Sequence, residues 1–137
     1  MTRRWILLLT ISFIFGHMVP NTAYAADASE KTNKYNVQID IKNAYVSGLC
    51  IVKTDAAIVT ASIVNEFGIS LITLRYNKTT DRIKIVNCVK QLSNPVIKRI
   101  LKRDFKSILS EHYISNESES IHYVNAKHNI TYNLRHL

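Results

Sequence analysis

The chain has 137 residues, 47% of them hydrophobic, and a formal net charge of +8 at neutral pH. That is enough for one domain around one core and too little for two. Two cysteines exclude a disulfide scaffold, and the basic balance favours anionic partners, lipid headgroups or other polyanions sooner than chromosomal DNA if the chain is exported.

Arg3 and Arg4 precede a mostly apolar run from Trp5 to Phe15, and Pro20 breaks the run. Ala23-Tyr24-Ala25 then places small residues at the third-last and last positions before a cleavage point. Positive, apolar, small-x-small is the order of a secretory signal peptide, expected over residues 1–25. The apolar stretch falls short of the ~20 residues that span a bilayer. Cleavage after Ala25 removes Arg3 and Arg4 and lowers the formal charge from +8 to +6, so the exported chain stays basic. Residues 26–34 are polar and read as a flexible lead-in. No cysteine lies in the leader region, so a lipid anchor is not expected.

From Tyr35 the pattern alternates. Val37, Ile39 and Ile41 share one face, with Gln38, Asp40 and Lys42 between them, as in a half-buried strand. A second strand runs from about Tyr45 to Lys53, with Gly48 at a bulge or bend. Thr54-Asp55 turn into a third strand, Ala57 to Val64. After Asn65-Glu66-Phe67-Gly68 a fourth covers Ile69 to Tyr76. The polar turn Asn77 to Asp81 leads to a fifth, Arg82 to Val89. Connections this short fit antiparallel pairing only.

The period then switches. Ser93 or Asn94 ahead of Pro95 is a helix start, and Val96, Ile97, Ile100, Leu101, Phe105, Ile108 and Leu109 follow at helical spacing. A helix over 95–110 is expected, with Lys98, Arg99, Lys102, Arg103 and Lys106 on its other side. That face meets solvent or an anionic membrane surface. Residues 115–120 are a polar loop, and Ile121–Val124 with Ile130–Leu134 suggest a closing hairpin. The fold class is α+β: a curved antiparallel sheet of about seven strands, a half-barrel, with one amphipathic helix over its concave face.

Catalytic patterns are missing. Gly16, Gly48 and Gly68 cannot build a phosphate loop, and the histidines lack metal-ligand spacing. No enzyme activity, cofactor, metal or nucleic-acid partner is expected, and a monomer is. Asp104 points with the apolar stripe of the helix, so it needs a buried hydrogen-bonding partner or a place at the rim. Cys50 and Cys88 fall on the second and fifth strands, three spacings or about 14 Å apart in a simple meander, which favours two free thiols over a bond.

Phe67 beside Gly68 has two readings. It folds inward as a plug, or it projects as an apolar tip for a membrane or partner. The run "SGLCIVKTDAAIVTASIVNEFGISLITLRYNKTTDRIKIV", residues 47–86, resembles the LolA/LolB-like lipoprotein carriers and receptors, closest to short LolB-like envelope proteins. Asn65-Glu66-Phe67-Gly68 takes the place of that family's Asn-Pro-Leu-Gly-like tip, and Leu71, Leu74 and Tyr76 follow in phase.

That resemblance implies that residues 35–137 form a half-barrel enclosing an apolar cavity for acyl chains. Phe67 would stand where the receptors carry a protruding apolar residue. The chain is short for the family, so the cavity is expected to be small or filled with side chains. Ile51, Val59, Ile63, Ile72, Leu74, Ile83 and Ile85 would line it from the sheet, and Ile97, Leu101 and Phe105 from the helix. The function expected is a periplasmic or outer-membrane-facing protein that binds lipid or lipoprotein acyl chains and aids lipoprotein localisation. The alternative is a small secreted interaction or inhibitor module with a fully packed core.

Overall fold

The computed structural model describes residues 30–42, 44–113 and 120–137. The expected leader and most of the polar loop after the helix fall outside them. Seven strands make one open antiparallel sheet: β1 (Lys31–Ile41), β2 (Ala44–Asp55), β3 (Ile58–Val64), β4 (Ser70–Asn77), β5 (Arg82–Cys88), β6 (Ser120–Asn125) and β7 (Ile130–His136). Their order across the sheet is β5-β4-β3-β2-β1-β7-β6. The first five strands form a meander. The last hairpin joins on the far side of β1, where Ile39 sits opposite Tyr132 and Val37 opposite Leu134.

β1 begins at Lys31, four residues before its apolar alternation, so the last part of the expected lead-in over 26–34 is strand. Lys31 to Lys34 lie opposite Thr54 to Ile51. Main-chain pairing with β2 holds this polar stretch without burying it.

One helix, α1 (Pro95–Ser107), packs on one face of the sheet. It starts where the sequence places it: the Asn94 side chain accepts the Val96 N–H at 2.8 Å, and Pro95 occupies the first turn. It ends sooner than residue 110, because Ile108–Tyr113 continue as a wider π-helical turn. A 3-10 turn, Lys90–Leu92, links β5 to α1.

The core lies between α1 and one face of the sheet. Tyr35, Val37 and Ile39 come from β1, Cys50 and Val52 from β2, Val59, Ala61 and Ile63 from β3, and Ile72, Leu74 and Tyr76 from β4. Ile130, Tyr132 and Leu134 extend it through β7, and Leu101, Phe105, Ile108 and Leu109 close it from above. Each large side chain so buried contributes about 1.5–3 kcal/mol. The other face, with Gln38, Lys53, Thr60, Ser62, Thr73, Arg75 and Lys84, is covered by no element among the described residues.

Ile51 is a correction. Cys50 and Val52 both point into the core, so Ile51 between them belongs to the uncovered face. Across "LCIVK" four apolar residues in a row hide the phase of the alternation.

Candidate functional site

The side chains expected to line a cavity are brought together, but as a packed core. Val59, Ile63, Ile72, Leu74, Leu101 and Phe105 are each at most 2% exposed. Ile83, Ile85 and Ile97 are half-buried against them. The Phe105 and Tyr132 rings meet edge to face at 5.6 Å, which locks helix to sheet.

Asp104, 1% exposed, is the one buried charged or polar residue among those described. Its carboxylate accepts the Tyr132 hydroxyl at 2.6 Å and both of its oxygens accept the Asn125 amide at 3.0 Å. Asn125 in turn accepts the His128 backbone N–H at 3.2 Å, so the network ends in the β6–β7 turn. Burial first, then the hydrogen bond to Asp104, pushes ionisation of the Tyr132 hydroxyl upward. The carboxylate fastens α1 to the closing hairpin, and its partners were invisible in a sequence that separates them by 21 and 28 residues.

The helix cations do not form one site. Arg99 and Arg103 are exposed, while Lys98, Lys102 and Lys106 are half-buried along the helix flank. Lys106 pairs with Asp81 at 3.1 Å. Asp81 also accepts the Tyr76 hydroxyl at 2.8 Å, and that bond, followed by Lys106, holds its carboxyl below the usual range.

Cys50 and Cys88 are free. Register places them at the two ends of one cross-strand rung, Cys50–Ile63–Ile72–Cys88, three strand spacings or about 14 Å apart. Burial pushes the Cys50 thiol from 9.0 up to about 12.

The feature that stands apart is the β3–β4 tip. Asn65 builds it: its side-chain oxygen accepts the N–H groups of Phe67 at 3.0 Å and Ile69 at 2.9 Å, and its carbonyl accepts the Gly68 N–H at 3.0 Å. Gly68 supplies the left-handed φ of 77° that the turn requires. With these main-chain groups engaged below it, Phe67 projects and is 79% exposed. Ile69 at 55% and Tyr45 at 70% stand with it.

Beside this tip β2 outruns its neighbour. β3 stops pairing at Leu49↔Val64, so Ala44 to Gly48 pair with β1 alone and leave their other edge open. Gly48 is required at the step, since a Cβ there would run into the Val64 carbonyl. The result is an open groove of about 1100 Å³ bordered by Tyr45, Leu49, Phe67, Leu71, Val89 and Leu92, with Asn65, Gln91 and Arg135 as polar members. Only Phe67 of the expected site residues borders it. Tyr45, Leu49 and Leu92 were missed because nothing local signals that one strand of a hairpin outlasts the next.

No helix among the described residues is long and apolar enough to cross a membrane, and none of their His, Cys, Asp and Glu side chains cluster as a metal site. Comparisons with family models, with curated proteins and with solved structures returned no match.

Proposed function

We propose that the protein is a non-catalytic binding module of the cell envelope that takes up an extended partner segment in the groove beside Phe67. The open edge of β2 carries this reading: Ala44 to Gly48 offer unpaired main-chain donors and acceptors along an apolar border. An added strand would satisfy them, and alternate side chains of that strand would rest on Leu49, Leu71 and Leu92. The packed core fits the interaction-module alternative read from the sequence.

A second reading keeps the LolA/LolB likeness, with a half-barrel sheet and export to the periplasm. Here the ligand is a lipid or lipoprotein acyl chain, seated in the tip groove. The outward Phe67 favours it, and each buried methylene would contribute about 0.8 kcal/mol.

Two measurements distinguish these readings. Titration with a library of extended peptides should protect the amides of residues 44–48 from hydrogen exchange, and Phe67→Glu should weaken binding at least about tenfold, a loss of ~1.4 kcal/mol. Native mass spectrometry of protein extracted from its source cells would show bound lipid under the second reading and none under the first. Amides 44–48 left unprotected by every peptide would end the strand-addition proposal.

A further inference from the structure

A second cleft, about 520 Å³, lies at the other end of β4 from Phe67. Arg75, Arg82 and Lys84 rim it, Asn77 stands among them, and Ile58, opposite Asn77 on the same face, supplies apolar wall. Arg75 sits directly opposite Lys84 across the β4–β5 ladder, and Arg82 opposite Asn77. Like charges in directly opposed positions destabilise a sheet, so this arrangement calls for a neutralising partner.

The described residues do not supply one. Asp81, the residue before Arg82, is occupied by the Tyr76 hydroxyl and by Lys106 of α1. Among the described residues no carboxylate is within ion-pairing distance of Arg75, Arg82 or Lys84. Cations on an edge strand often serve to block pairing with other sheets. That accounts for Arg82 and Lys84 on β5, the edge, but not for Arg75, which is on an interior strand.

We propose that this cleft docks the phosphate headgroup of an anionic phospholipid. The planar guanidinium groups of Arg75 and Arg82 suit paired phosphate oxygens, Lys84 adds a point charge, and Ile58 lies where the glycerol and first methylenes would rest. The apolar wall favours a lipid over free phosphate. The site is independent of the tip groove, and its failure would leave the groove reading untouched.

The test is co-sedimentation of the full chain with phosphatidylcholine vesicles with and without phosphatidylglycerol. Binding should rise with the anionic lipid, and Arg75→Gln with Lys84→Gln should reduce it roughly 25-fold, about five-fold per cation. The same change of charge on the helix, Arg99→Gln with Arg103→Gln, should cost much less. Equal losses from both pairs would mean that net charge alone is sensed and would overturn the cleft. Two further results would overturn the lipid: no preference for phosphatidylglycerol, or arginine side-chain NMR shifts with inorganic phosphate but no vesicle binding. Removing the opposed cations should keep or raise the melting temperature, so lost binding cannot be blamed on unfolding; a lower melting temperature would show that the pair is neutralised within the fold.

Discussion

Asp104 on α1 and Asn65 at the β3–β4 tip solve opposite problems with the same means. At Asp104 a carboxylate is taken fully out of water and the donors around it are committed inward, from Tyr132 and Asn125. At Asn65 a side-chain oxygen also gathers two donors, but at the surface, and the effect is to push an aromatic ring outward. The first polar knot stabilises a core; the second stabilises an exposure. A projecting Phe67 on so well-bonded a turn is a constructed feature, because a loosely held ring would fold onto the apolar border beside it.

The largest effect should come from undoing the inward knot. Asp104→Ala leaves the Tyr132 hydroxyl and the Asn125 amide unsatisfied and opens a void, with an expected loss of about 3–5 kcal/mol. Urea unfolding measures it, and an unchanged midpoint would place the carboxylate in water. Gly48→Ala forces the Val64 backbone away from β2 and should cost about 1–3 kcal/mol; it should also alter the groove, so amide shifts confined to residues 44–49 and 64–69 are expected.

Alkali probes the core differently. The Cys50 thiol titrates near 9.0 when unfolded and at about 12 when folded, so its contribution is complete below pH 9 and is lost as the pH rises toward 12. Stability should therefore fall by roughly 1–2 kcal/mol by pH 10, with Tyr132 shifting in the same direction. Cys50→Ala should be less stable at neutral pH yet show a shallower alkaline decline; an equal decline would remove Cys50 as its source. The smallest effect is expected at the tip. Phe67→Glu should change unfolding by no more than ~0.5 kcal/mol, and a larger loss would mean that the ring packs inward after all.

Where the sequence was periodic, it was readable. Alternation at Val37-Ile39 and Ile83-Ile85, the Asn94-Pro95 start and the closing hairpin all recur in the structure. Ile51 failed because an unbroken apolar run carries no phase. The partners of Asp104 and the groove at β2 failed for another reason: the first lie 21 and 28 residues away on a hairpin that docks beside β1, and the second depends on how far β2 extends past β3; both are set by pairing across the whole sheet and leave no local trace.

The position of β7 carries a consequence for the whole fold. It pairs the first strand, Ile39 against Tyr132, and the same Tyr132 grips Asp104 of the helix. A chain interrupted before Ile130 would leave β1 without its second neighbour and Asp104 of the helix without the Tyr132 hydroxyl. One strand thus completes both the sheet beside β1 and the polar clasp on the helix, so loosening β7 would weaken two distant parts of the molecule together.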